Sequence, residues 1–138
     1  MIKTLVVDDS AVAREMISKI LSEDAEINVM GTASFGNEAI NFINKSKEKP
    51  DIIILDLKMP VMDGFETLEY IMTYFPIPCL IVTALSKEEV SVRVKNLGGA
   101  DIIQKPVYDG KEDISKIGQE IVQKVKMLAK KNITIDLD

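Results

Sequence analysis

Histidine does not occur in this 138-residue sequence, and its absence removes whole chemistries at once. Neither a Ser-His-Asp hydrolase nor a Cys-His protease can be built from this chain, and no metal can be held by imidazole. Cysteine occurs once, at Cys79, which excludes an internal disulfide and any multi-cysteine zinc site. Basic charge is scarce: 17 Lys and Arg face 22 Asp and Glu, for a net charge of −5. That is the wrong sign for a nucleic-acid partner, whose phosphates demand a basic stripe. No apolar run approaches the roughly 20 residues of a membrane span. The apolar part of the opening "MIKTLVVDD" is too short for a signal peptide. The expected address is therefore the cytoplasm, with no membrane partner.

What remains for chemistry is carboxylates, hydroxyls, lysines, arginines and backbone. At 138 residues and 46% hydrophobic composition, one globular domain is expected. The hydrophobic period switches repeatedly between that of strand and that of helix. "KTLVVDD", "INVMGTA", "DIIIL", "CLIVT" and "DIIQ" read as five strands. Between them, "SAVAREMISKILSE" places Val12, Ala13, Met16, Ile17, Ile20 and Leu21 on one helical stripe, with Ser10 as its N-cap. "GNEAINFINKS" carries Ala39, Ile40 and Ile43 on a helix face, with Ser34 as a candidate cap. "GFETLEYIMTYF" sets Phe65, Leu68, Ile71 and Met72 at core spacing before Pro76 and Pro78, and "KEEVSVRVKNL" ends at Gly98-Gly99.

A last helix is expected from about Glu112 to Lys131, turning Ile114, Ile117, Ile121, Val122, Val125 and Leu128 inward, with its lysines on a solvated face. The stretch 132–138 reads as a tail or linker stub. Strand and helix thus alternate five times, which predicts an α/β fold: a doubly wound parallel sheet covered by helices on both faces.

In such a sheet, ligands bind beyond the carboxyl ends of the strands. The first strand ends in Asp8-Asp9, the third in Asp56, the fourth in Thr83 and the fifth in Lys105-Pro106. Each has a plainer use when taken alone. Asp8 or Asp9 could cap the first helix, Asp56 a turn, and Lys105 could be a solvated charge. Together they are the parts one reaction needs. Three carboxylates within about 5 Å repel by roughly 3 kcal/mol per pair at an effective dielectric near 20, so the cluster calls for a cation or a proton. Hard oxygen donors without thiolate or imidazole select Mg²⁺, or Mn²⁺. Phosphoryl transfer requires a nucleophile, a metal and a neighbouring cation, and a carboxylate can be that nucleophile. Asp56 is the central candidate, with Asp8 and Asp9 holding the metal.

The segments "LVVDDSAVAR", "IIILDLKMPVMDG", "IVTA" and "LGGADIIQKP" stand in the order and spacing of a response-regulator receiver domain of two-component signalling, which this chain resembles over nearly its whole length. Within that family it looks most like the receiver half of chemotaxis methylesterases. The resemblance implies a flavodoxin-like sheet of order 2-1-3-4-5, with a receiver domain over residues 1–131. It implies phosphorylation of Asp56 by a histidine kinase, and Mg²⁺ on Asp9, Asp56 and the backbone carbonyl of Lys58, with Asp8 helping directly or through water. Thr83 and Lys105 would contact the phosphoryl group, and the Lys105–Pro106 bond would be cis. The output face would be the fourth helix, fifth strand and last helix, with Lys87, Arg93, Lys95 and Ile102 nearby, acting on an output domain or partner protein. Ile102 stands where many receivers carry an aromatic switch residue. The Lys58 side chain could pair with Asp56 or stay at the surface. Having no histidine, the chain is expected to lack methylesterase activity, as a stand-alone receiver or the regulatory half of a larger protein. Two competing functions are a Mg²⁺-dependent aspartyl phosphohydrolase and a degenerate receiver serving as a constitutive binding module.

Overall fold

A computed structural model of the chain describes residues 1–137, with side chains as far as Lys130. Five parallel strands, β1 (Ile2–Val7), β2 (Ile27–Ala33), β3 (Ile52–Leu55), β4 (Cys79–Thr83) and β5 (Asp101–Gln104), form one sheet in the order β2-β1-β3-β4-β5. The helices between them are α1 (Ala11–Ser22), α2 (Gly36–Lys45), α3 (Gly64–Tyr74) and α4 (Lys87–Asn96), and α5 (Gly118–Leu137) closes the chain. The doubly wound five-stranded fold and its strand order are those the sequence and its resemblance predict.

The strands are apolar nearly throughout because each face has a cover to meet. Along β3, Ile53 and Leu55 join Ala39, Ile43, Leu68, Ile71, Val90 and Val94 from α2, α3 and α4. Ile52 and Ile54 point the other way, into a second cluster with Ile17 and Leu21 of α1 and Ile121 and Val125 of α5. The same alternation sends Cys79 and Ile81 to one side and Leu80 and Val82 to the other. Cys79 is buried, which pushes its thiol up to about 12 and leaves it inert.

Several local expectations need correction. Val12 leaves the predicted stripe and is 67% exposed. Ser34 does not cap α2; Phe35 takes the capping position without a side-chain bond, while the Ser34 N–H donates to Glu38 Oε1 at 3.2 Å. Ser10 does cap α1, accepting from the Ala13 N–H. The last helix begins at Gly118 and not at Glu112. A two-stranded hairpin, β6 (Val107–Tyr108) with β7 (Lys111–Glu112), and a 3-10 turn over Ile114–Ile117 come first. Two lysines of α5 are not simply solvated: Lys124 binds Asp101 at 2.6 Å and Lys126 binds Asp24 at 2.8 Å. The stretch 132–138, expected as a tail, lies outside the described side chains. No described helix is long and apolar enough to cross a membrane.

Candidate functional site

Sheet register brings the strand ends into one place. Val7 of β1 pairs with Leu55 of β3, so Asp8 and Asp56 leave the sheet side by side, and the Asp56 N–H donates to the Val7 carbonyl at 3.0 Å. Carboxylate oxygens of Asp8, Asp9 and Asp56 lie within 4.8 Å of one another. Asp8 and Asp56 are buried and Asp9 is exposed, so the cluster opens to solvent on the Asp9 side.

Lys105 closes the inner side. Its side chain is fully buried, and its ammonium donates to Asp8 Oδ2 at 2.7 Å, Asp56 Oδ2 at 3.4 Å and Glu112 Oε1 at 3.2 Å. Strand pairing sets this position: the Lys105 N–H donates to the Thr83 carbonyl at 2.7 Å, continuing the β4–β5 ladder by one residue. The Lys105–Pro106 bond is trans, not cis as the resemblance implied. The inward turn of the lysine follows from this strand-end bond and from the carboxylates it faces, and needs no cis isomer.

Burial pushes Lys105 down, but the carboxylates of Asp56, Asp8 and Glu112 outweigh it and raise the ammonium above its usual range. Asp8 is raised from 3.8 to about 6, first by burial and then by the Asp56 charge, against the pull of Lys105. One lysine therefore does not neutralise the group, and the surplus negative charge suits a divalent cation. The donor set is all oxygen, which matches Mg²⁺ and similar hard ions.

The loop after β3 shapes the outer wall. Lys58 donates its N–H to Asp56 Oδ1 at 3.3 Å, while its side chain is exposed. Asp56 forms its ion pair with Lys105 and not with Lys58. Asp63 caps α3 by accepting from the Glu66 N–H at 2.9 Å. At Gly64 a Cβ would overlap the Asp56 carbonyl oxygen and Leu57 Cα, so only glycine lets the helix start approach this closely. Thr83 is fully buried at the end of β4, and its hydroxyl accepts from the Leu85 N–H at 3.3 Å. It makes no hydrogen bond to the carboxylates.

Sequence reading missed three residues here. Arg14 donates to the Asp8 carbonyl at 2.7 Å, and Ser10 adds an N–H to Asp8 Oδ1 at 2.9 Å. Glu112 is the third. Its signal was Asp109-Gly110, a hairpin turn signature that a helix starting at Glu112 leaves unused.

The sequence model of the response regulator receiver domain matches residues 4–117. This chain belongs to the response regulator receiver family. Receiver domains related to it occur within longer proteins: it is 42% identical over 137 residues to the protein-glutamate methylesterase/protein-glutamine glutaminase of Methanococcoides burtonii, covering 98% of this chain and 38% of that protein. A protein of the same name from Sulfurimonas denitrificans is 42% identical over 142 residues, covering 99% of this chain and 39% of that one. The receiver thus spans about two fifths of the length of these curated relatives.

Among solved structures, the response regulator domain of Thermotoga maritima CheB superposes with a TM-score of 0.86 at 30% identity, covering 94% of this chain and 97% of that one. The CheX-CheY-BeF3-Mg+2 complex from Borrelia burgdorferi contains a chain matching with a TM-score of 0.74 at 29% identity, covering 88% of this chain and 87% of its own. This receiver therefore resembles chemotaxis proteins in sequence and in structure.

Proposed function

We propose that this receiver is a Mg²⁺-dependent phospho-accepting switch, in which Asp56 takes a phosphoryl group from a histidine kinase. The observation that carries this reading is the buried Lys105 ammonium bridging Asp8 and Asp56 beside a third carboxylate, Asp9. Asp8, Asp9, Asp56 and the Lys58 backbone carbonyl would hold the Mg²⁺ (or Mn²⁺), which when bound neutralises charge on the phosphoryl oxygens. An Asp56 carboxylate oxygen attacks phosphorus as the P–N bond of the kinase's phosphohistidine breaks, leaving an acyl phosphate on Asp56. Lys105 donates to one phosphoryl oxygen. Thr83 gives up its present role as acceptor for Leu85 and turns its hydroxyl onto another.

The output face is α4, β5 and α5. Ile102 cannot act there as a rotating surface residue, because it is buried among Ile81, Val90 and Val94. The change must instead pass through Thr83 and α4. That helix buries only Val90 and Val94, with Arg93 lying 3.8 Å over the Phe65 ring. Charge-assisted bonds to the phosphoryl oxygens would shift a pre-existing equilibrium of this weakly anchored helix. In this reading the switch works in chemotaxis, in the cytoplasm, on an output domain or partner protein; the resemblance to CheB and to the longer methylesterase/glutaminase relatives supports it. In this reading the chain performs only its own phosphorylation and dephosphorylation and has no esterase activity.

Incubation with acetyl phosphate tests the reading. Stoichiometric, base-labile phosphoryl incorporation that requires Mg²⁺ supports it. Multiple turnover of generic phosphate esters would favour a phosphohydrolase instead. No incorporation and no response to beryllofluoride would leave a binding module.

A further inference from the structure

The β6–β7 hairpin stands between β5 and α5, and little holds it. Each strand has two residues, and all four are exposed. The turn between them is tight, with Asp109 at φ 51° and Gly110 at φ 75°, the positive pair of a type I′ turn. A two-residue ladder with no buried face has no stability of its own. The Asp113 N–H closes the base of the hairpin on the Pro106 carbonyl at 2.9 Å; among the described residues its polar ties beyond that are Lys116, 5.8 Å over the Tyr108 ring, and Glu112 on Lys105 at 3.2 Å. The last is the one charge-assisted bond among them, and it reaches the centre of the site.

An ammonium has three N–H donors. Asp8, Asp56 and Glu112 account for all three on Lys105. A phosphoryl group on Asp56 brings further acceptor oxygens and replaces the single carboxylate charge by about two, so one present partner must yield. Asp8 and Asp56 are sealed, with side-chain exposures of 3% and 6%, and each meets Lys105 through Oδ2 alone, which leaves Oδ1 to hold the metal without giving up the lysine. Glu112 is 31% exposed, so its carboxylate returns to solvent at small cost. The new phosphoryl charge also repels it.

We propose that Glu112 is a positioning residue for Lys105 in the resting state, and that phosphorylation of Asp56 displaces it and frees the hairpin. The hairpin, with its exposed Val107 and Tyr108, is then a second moving surface, separate from α4. The inference rests on the phospho-acceptor reading given above.

Hydrogen–deuterium exchange across 107–113, with and without beryllofluoride and Mg²⁺, tests it, with ¹⁹F NMR on the same samples to register bound fluoride. In the wild type, beryllofluoride should speed exchange of these amides at least threefold. In Glu112→Gln, exchange should already be fast and change little on addition. Bound fluoride with exchange in 107–113 unchanged overturns the release of Glu112 and leaves the acceptor reading standing. Equal protection of the hairpin in wild type and Glu112→Gln before addition overturns it as well. Absence of bound fluoride overturns both readings together.

Discussion

Lys105 Nζ lies 2.7 Å from Asp8 Oδ2, with 0% and 3% of the two side chains exposed. The cation of this site thus binds its metal-side carboxylate more closely than the proposed acceptor, Asp56, which stands at 3.4 Å. Removing the ammonium strands buried negative charge. Lys105→Met should lower the stability of the Mg²⁺-free protein by about 3 kcal/mol, the usual cost of breaking a buried pair. Denaturant melts check this, and excess Mg²⁺ should restore part of the loss. An unchanged midpoint would mean that the carboxylates need no counter-charge.

The raised carboxyl of Asp8 gives a pH dependence with a definite sign. Its folded value is about 6 against an ordinary 3.8, so between these the folded chain binds the extra proton and the unfolded chain does not. Stability of the Mg²⁺-free protein should therefore fall as pH rises from about 4 to 6, through this group. Mg²⁺ must displace that proton, so its affinity should drop by about tenfold per pH unit below 6. Mg²⁺ titrations at pH 7, 6 and 5 measure this, and a flat affinity would contradict it.

Gly64 is where α3 comes closest to the site, with no room for a Cβ against the Asp56 carbonyl and Leu57 Cα. Gly64→Ala should cost about 1–3 kcal/mol, the usual range for overpacking. It should also slow phosphorylation, because relief of the overlap moves Asp56. Melting curves and acetyl phosphate kinetics on one sample separate the two effects.

Val61 sits in the loop between Asp56 and α3 at φ 66° with 95% of its surface exposed. A β-branched residue is strained in that left-handed region, whereas asparagine accepts it. Val61→Asn should raise stability by about 1 kcal/mol. A loss of stability would show that the loop gains something from the valine.

Much of this was legible in the sequence because apolar strands declare themselves. Ile52 to Leu55 has no polar face, so it needs cover on both sides, and the next residue, Asp56, must lie on the rim. The convergence of Asp8, Asp9, Asp56 and Lys105 follows from that topology. The hairpin was hidden because Ile114, Ile117, Ile121 and Val125 keep one helical spacing across the break at Gly118. Two-residue strands are also too short to show alternation. Val12 shares its line along α1 with Met16 and Ile20, which are only partly buried, while the adjoining line of Ala13, Ile17 and Leu21 faces the core. Glu112 could be reached only through the turn that Asp109-Gly110 signals, since its pairing with Lys105 exists only once the chain has turned back.

The most direct test of the account is to locate the phosphoryl group. The protein is incubated with acetyl phosphate and Mg²⁺, digested at acid pH, and its peptides are weighed beside those of Asp56→Asn. The account predicts one phosphoryl group, on the peptide carrying Asp56, absent without Mg²⁺ and absent in the variant. A phosphoryl group on another residue, or equal labelling of Asp56→Asn, would contradict it.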